Sequence, residues 1–217
     1  MIIKKIILLA ATLVISLTSL NAQDNTTDFR TRFLFGLKAG VNYSNVYDSQ
    51  GDAFVAKSKL GFAGGVFLAI PLGKYFGIQP EVLYSQKGFK ATGNVLDGPY
   101  NLTRTSSYID IPLFAAFKPS EFLTLLAGPQ FSYLAKQKDE FKNGTTTIAQ
   151  ELAFENENAR KNTLCAVLGV DLTMKHYVVG VRAGWDVQKN IGSGSETTPR
   201  YKNMWYQATI GYRFYSN

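Results

Sequence analysis

The sequence predicts an all-β protein, an eight-stranded antiparallel up-and-down β-barrel that crosses a membrane. Three observations support this prediction: eight stretches alternate apolar with small or polar residues, long and short connections alternate between them, and the apolar set contains no charged residue. Successive side chains of a strand point to opposite faces, so this pattern places one face in an apolar medium and the other against a polar one. About 9 to 11 tilted strand residues cross the hydrocarbon of a bilayer, and every stretch is at least that long.

The first stretch, residues 33–44, shows the pattern most clearly. One face consists of apolar residues only, namely Phe33, Phe35, Leu37, Ala39, Val41 and Tyr43. The other face carries mostly small or polar residues, with Leu34 as its apolar member. The same alternation predicts further strands at 60–72, 76–87, 105–117, 123–134, 162–172, 177–187 and 204–214.

The connections predict the direction of the strands. Short turns at 73–75, 118–121 and 174–176 alternate with long loops at 45–58, 88–104, 135–161 and 188–203. In an up-and-down barrel this arrangement puts the long loops at one end, and the short turns with both chain ends at the other. Within 135–161, Asn143-Gly144 is a strong hairpin signal, although the spacing of Ile148 and Leu152 also allows a helical turn.

A soluble eight-stranded barrel is the alternative architecture, and it requires the opposite orientation of the two faces. The polar set here is rich in glycine and has too few charges to coat a soluble surface. One Lys or Arg at mid-depth on a lipid face costs about 2 to 4 kcal/mol, and the apolar set contains none. We therefore expect the apolar set to face lipid.

Aromatic residues collect at the ends of the predicted strands, as expected for girdles at the two membrane interfaces. The predicted turn-side girdle consists of Phe33, Phe76, Phe117, Tyr177 and Phe214. The predicted loop-side girdle consists of Tyr43, Tyr84, Tyr133, Trp185 and Tyr206.

The inward set carries charges that nearly balance, which predicts mutual pairing inside a narrow lumen filled by side chains. The predicted lumen charge network consists of Lys38, Glu81, Asp110, Asp171, Arg182 and Arg213, with Asp186 as a further inward charge. We expect Arg182 to be the hub, paired with Glu81, Asp110 or Asp171, and the lumen to be plugged. A proton or ion path through these groups is the alternative.

The N-terminus predicts export. Residues 1–22 have the form of a secretory signal peptide, with Lys4 and Lys5 before an apolar stretch and a cleavage site after Ala22; a retained membrane anchor is the alternative. Residues 23–217 then form the barrel domain.

The single cysteine, Cys165, excludes an internal disulfide framework. The net charge of +7 is scattered over the chain, which does not indicate nucleic-acid binding.

Several segments together resemble the PorT-type small outer-membrane barrels, often called porin-family proteins. The segments are Phe35-Gly36-Leu37-Lys38-Ala39-Gly40-Val41-Asn42, residues 79–88 (QPEVLYSQKG), residues 108–113 (YIDIPL) and Gly211-Tyr212-Arg213-Phe214. The resemblance implies a fold similar to OmpX and the OmpA barrel, and a place in the bacterial outer membrane. It also implies contact with outer-membrane lipid and insertion by the barrel-insertion machinery. PorT itself takes part in type IX secretion, but that role does not transfer with the fold, so a protein partner in a secretion assembly is a hypothesis for this chain.

For function, the sequence favours a structural or interaction protein with a plugged or very narrow lumen, which presents its long loops or joins a secretion assembly. A small ion or solute channel is the second hypothesis. A barrel hydrolase is the third, but it needs a base, and the one histidine, His176, lies in a predicted turn on the side opposite the loops. We predict no enzyme activity, no cofactor and no metal, although Asp48, Asp52 and Asp97 place carboxylates in the loops.

Overall fold

The computed structural model describes residues 28–50, 55–95, 98–143, 146–152, 161–188 and 200–214. The predicted signal peptide, together with Asp52 and Asp97, lies outside these residues. None of the helical segments described is long and apolar enough to cross a bilayer. Among the described residues, a 3₁₀ turn, Phe29–Thr31, precedes the first strand and is capped by the side chain of Asp28.

The described part of the chain forms nine strands. Their bounds are β1 Leu34–Gln50, β2 Val55–Pro71, β3 Phe76–Val95, β4 Gly98–Phe117, β5 Leu123–Asn143, β6 Thr146–Leu152, β7 Asn162–Met174, β8 Tyr177–Asp186 and β9 Arg200–Phe214.

Eight of these strands close into a barrel of antiparallel neighbours. β1 pairs with β2 on one side and β9 on the other, and the ring continues through β3, β4, β5, β7 and β8. In the described residues β6 pairs with β5 alone, where it forms a hairpin that begins at the pair Asn143 and Thr146. The predicted fold class, an eight-stranded antiparallel up-and-down barrel, is confirmed.

The two faces have the predicted polarity. Outward residues such as Leu37 and Ile210 are 46% and 66% exposed, whereas the inward Asn42 and Glu81 are 0% and 2% exposed. The barrel therefore has an apolar outer surface and a polar interior, the reverse of a soluble protein.

The predicted long loops are wrong over much of their length, because the strands continue into them. β1 runs on to Gln50, and β3 and β4 pair as far as Val95 and Gly98. The helical turn considered at residues 148–154 is wrong as well, because Ile148 and Leu152 belong to β6. Alternation fails as a signal here because, beyond the membrane, the outer face meets water and no longer needs apolar residues.

Beyond the membrane the polarity of the faces inverts. Four inward residues of the strand extensions, Val46, Phe89, Ala91 and Tyr201, form a buried apolar cluster, with Ala56 and Leu102 packed against it. We call this group the loop-side cluster. It gives the extended strands a small core of the kind that a soluble barrel has.

Candidate functional site: the charged lumen

The charges in the turn-side half of the lumen come from four strands that meet across the barrel. Arg182 of β8 donates from Nη1 to Asp171 Oδ1 at 2.6 Å and from Nη2 to Asp171 Oδ2 at 3.0 Å. Its Nη2 also lies 3.5 Å from Oε1 of Glu81, and Lys38 pairs with the other oxygen of Glu81. These two cations and two carboxylates form a neutral group, which we call the turn-side quartet.

Neutral side chains hold the turn-side quartet in place. Gln79 donates from Nε2 to Glu81 at 2.9 Å and to Asp171 at 3.2 Å. The ring of Phe114 lies 5.4 Å from the guanidinium of Arg182. Gly169 is the cross-strand partner of Arg182, and a Cβ at this glycine would lie 2.3 Å from the Cδ of Arg182. The absence of a side chain at Gly169 is therefore what lets the arginine cross the lumen.

A second charged group lies nearer the loops. Lys87 of β3 pairs with Asp110 of β4 at 2.9 Å, and Ser132 donates to the same carboxylate at 2.6 Å. The Lys87 ammonium also lies 3.7 Å from the ring centroid of Trp205, a cation–π contact in a desolvated setting. Lys87 is 2% exposed, so this group lies buried inside the lumen at a second level.

Asp186 of β8 extends this second group. It accepts hydrogen bonds from the backbone N–H and the side-chain amide of Asn203, at 2.9 and 2.6 Å, and from the thiol of Cys165 at 3.2 Å. Hydrogen bonds to a buried carboxylate replace the water that it loses. We call Lys87, Asp110 and Asp186, with these partners, the central group.

Arg104 lies above the central group, towards the loop-side end of the lumen. Its guanidinium binds Asp139 through two contacts of 2.8 and 2.7 Å and donates to the Tyr201 hydroxyl at 3.0 Å. Burial alone would lower the pKa of Arg104, but the neighbouring Tyr201 and Asp139 raise it above its ordinary value. Arg104 also stacks on the loop-side cluster, 5.8 Å from the ring centroid of Phe89.

The N-terminal segment lies across the turn-side end. Lys118, in the β4–β5 turn, donates to the backbone carbonyl of Arg30 at 3.0 Å. Asp28 binds the Arg30 side chain at 2.7 Å and lies 3.7 Å from Lys74. Arg30 in turn lies over the ring of Tyr75. The hydrogen bonds from Arg30 lower the pKa of Asp28 to about 2.

Two of the predicted network residues are placed differently from the expectation, and one charged lumen residue lies outside the predicted set. Asp110, considered as a partner of Arg182, pairs instead with Lys87. Arg213 lies at the turn-side end and donates to the backbone carbonyl of Lys175 at 2.7 Å. Lys87 was left out of the predicted network, although it shares the inward parity of Glu81 on β3, which was the signal that could have found it.

The remaining reactive residues do not assemble a catalytic pair in the described part of the chain. The ring of His176 stacks on Tyr212, with centroids 5.1 Å apart, and its Nδ1 lies 3.0 Å from the backbone carbonyl of Arg213. Cys165 is 1% exposed, inside the central group. Among the described residues, no three His, Cys, Asp or Glu side chains are placed to hold a metal ion.

All ten predicted girdle residues lie on the outer surface, with exposed fractions between 36% and 61%. Some pack against each other across strands, such as Phe76 and Phe117, whose ring centroids are 5.3 Å apart. Tyr43 and Tyr206 are direct cross-strand partners on β1 and β9. These ten aromatic side chains therefore all lie on the outer face of the barrel.

Comparison with known proteins supports a membrane barrel. The sequence profile of the family described as outer membrane protein beta-barrel domain matches residues 21–201. The attachment invasion locus protein Ail of Yersinia pestis, solved in complex with the heparin analogue sucrose octasulfate, superposes with a TM-score of 0.51 at 13% identity, over 84% of this chain and 99% of Ail. Neisserial surface protein A superposes with a TM-score of 0.50 at 12% identity, over 83% of this chain and 97% of that protein. A search of curated proteins gave no significant match.

Proposed function

We propose that this chain, which belongs to the outer membrane protein beta-barrel domain family and is a β-barrel protein of the bacterial outer membrane, acts as a structural and interaction protein with a plugged lumen. The barrel anchors and presents its loop-side end, and small molecules do not pass through it. The two predicted aromatic girdles lie at the two lipid interfaces, and residues 1–22 are removed on export.

The filled lumen is the observation that carries the proposal. The turn-side quartet and the central group occupy the barrel at two levels, and the gap bounded by Lys38, Asp171 and Thr209 is too small for a water molecule. Eight strands leave an interior just wide enough for side chains to fill. Buried pairs with additional hydrogen bonds resist opening, because separating them leaves uncompensated charges away from water.

Cys165 provides a direct test of the plug, since it is the only cysteine in the sequence and lies inside the central group. We expect a small water-soluble thiol reagent to leave Cys165 unmodified in the folded barrel and to modify it completely in urea. The matched control is Ser58→Cys in a Cys165→Ser background. Ser58 is partly exposed at the loop-side end, so the new thiol should react in both states. Rapid modification of Cys165 in the folded barrel would argue for a water-filled lumen.

The interaction role is tested in native outer membranes. One photo-crosslinking group replaces Lys142 on the loop side, and another replaces Lys74 on the turn side. Both residues are exposed. A reproducible partner captured from Lys74 favours a secretion-assembly subunit resembling PorT, whereas a partner captured from Lys142 favours recognition by the loops. Capture from neither position would leave the barrel without the proposed interaction role.

A further inference from the structure

The outer wall of the barrel carries a group of lysines just beyond the loop-side girdle. Lys57 of β2 and Lys90 of β3 are direct cross-strand partners, and both are exposed. Like charges directly opposite each other destabilise a sheet. In the described residues no carboxylate lies within ion-pair distance of either ammonium. In the part of the chain that the structure describes, the two ammonium groups therefore face each other on the outer surface without a counter-ion.

Further lysines surround this pair. Burial lowers the pKa of Lys59, the charge of Lys90 lowers it further and that of Glu140 raises it, so Lys59 is within electrostatic reach of both side chains. On β5, Lys138 binds Glu140 at 2.8 Å, and Lys142 also acts on that carboxylate. In register, Thr103 of β4 lies between Lys90 and Glu140, and Glu151 of β6 lies opposite Lys138. Glu140 thus acts on Lys59 as well as on the β5 lysines, and Lys57 and Lys90 have no ion-pair partner among the described residues.

The position of these lysines along the barrel axis indicates which part of the membrane they contact. Lys90 lies six residues beyond the girdle residue Tyr84 on β3, and Lys57 lies five residues from the outward Phe62 on β2. At a rise of about 3.3 Å per residue and a tilt of about 40°, these positions are roughly 12 to 15 Å beyond the edge of the hydrocarbon. The headgroup region of an ordinary phospholipid leaflet is only about 5 to 8 Å thick. The lysines therefore lie beyond the headgroups of a phospholipid leaflet, at a height reached by a lipid with a thicker polar region.

We propose that Lys57 and Lys90, supported by Lys59, form a binding site for the phosphate groups of the outer-leaflet glycolipid, lipopolysaccharide. The phosphorylated sugars of this lipid extend beyond a phospholipid headgroup, to the height of the lysines. Lysine binds phosphate as a point charge without needing a fixed planar geometry. A phosphate between Lys57 and Lys90 would also remove the repulsion between them.

The test is a two-by-two comparison of protein and lipid. The dissociation constant of the purified barrel is measured in mixed micelles with intact and with dephosphorylated lipopolysaccharide, for the wild type and for Lys57→Gln/Lys90→Gln. Each lysine near an anionic surface contributes favourable electrostatic free energy to binding. The loss of two such contributions should raise the dissociation constant for the intact lipid about 30-fold in the double variant. We expect dephosphorylation to weaken wild-type binding by a similar factor, and to have less than about a two-fold effect on the double variant.

Two control variants separate a specific site from net charge. Lys57→Arg/Lys90→Arg keeps both charges and should bind the intact lipid as the wild type does. Lys161→Gln/Lys202→Gln loses the same charge from loop-side positions outside the lysine pair and should also retain binding. Heat-modifiable migration on a gel confirms that each variant is folded.

Three results would overturn the proposal. The first is a wild-type barrel that binds both lipids equally, and the second is an equal loss of binding in Lys161→Gln/Lys202→Gln. The third concerns the source of the phosphate: if inorganic phosphate binds the barrel in lipid-free detergent as tightly as lipopolysaccharide does, the ligand is a soluble anion and not the lipid.

Discussion

Replacing Arg182 with methionine should strongly destabilise the barrel. Methionine fills much of the same volume but removes the two contacts of 2.6 and 3.0 Å to Asp171 and the contact to Glu81. The two carboxylates then remain buried, with 7% and 0% of their side chains exposed. Lys38, paired with Glu81, is the one cation left in the turn-side quartet, and Gln79 is a neutral donor to both carboxylates.

The size of the effect follows from that imbalance. At 2.6 Å the attraction in one such pair is about 6 kcal/mol at an effective dielectric constant of 20, and desolvation of the partners offsets part of it. Removing one partner of a buried pair typically costs about 3 to 5 kcal/mol, because the other charge is left uncompensated. We expect Arg182→Met to lower the free energy of unfolding by that amount.

The assay is reversible urea unfolding in lipid vesicles, followed by tryptophan fluorescence. Arg32→Met is the matched control, because Arg32 is exposed and the one interaction described for its side chain is with the ring of Phe29; we expect it to cost less than about 1 kcal/mol. In a double-mutant cycle, Arg182→Met and Asp171→Asn together should cost clearly less than the sum of the single changes. Unchanged stability of Arg182→Met, or strict additivity, would refute the role of Arg182 as the hub of the lumen.

Three further predictions follow from single features. Gly169→Ala should destabilise the barrel by about 1 to 3 kcal/mol, since its Cβ would lie 2.3 Å from the side chain of Arg182, whereas Gly73→Ala, with nothing within 4 Å of the added atom, should have little effect in the same unfolding assay; equal effects would contradict the close packing. The carboxyl of Asp28 should titrate near pH 2 by NMR, so its contribution to stability is complete above about pH 4 and is lost as the pH falls through 2; a midpoint near its ordinary value of 3.8 would remove that ion pair. Phe89→Ala should speed amide exchange in the loop-side extensions of β3 and β4 but not in their membrane-spanning halves, and unchanged exchange there would show that the loop-side cluster does not stabilise the extensions.

The membrane-spanning part of the fold was predictable because lipid imposes a strict rule on the sequence. Every outward residue from Phe33 to Tyr43 had to be apolar, so alternation fixed both the strand and the direction of each side chain. The same parity rule places Lys87 inside the barrel, so the pair of Lys87 with Asp110 in the central group was predictable as well.

The extensions of the strands were not predictable by that rule. Around Phe89 the outer face meets water, so polar residues lie outside and apolar ones inside, and the pattern that marked the strands disappears or inverts. A search for inverted alternation, as in Phe89-Lys90-Ala91, would have extended β3 correctly.

Pairing inside the lumen was only partly predictable. Parity places Glu81, Asp110 and Asp171 in the same interior, but the choice of partner for Arg182 depends on the height of each residue on its strand. That height follows from the register between strands, which a single sequence does not specify. The space left by Gly169 opposite Arg182 depends on the same register.

The central claim, that the lumen is plugged by its ion pairs, is tested most directly by the conductance of the purified barrel in a planar lipid bilayer. The wild-type protein should insert, as judged by heat-modifiable migration of the same sample, and give no current steps above the bilayer background in 1 M KCl. Discrete, reproducible steps from the wild type, of a size that persists in independently refolded samples, would contradict the plug and identify the barrel as a channel.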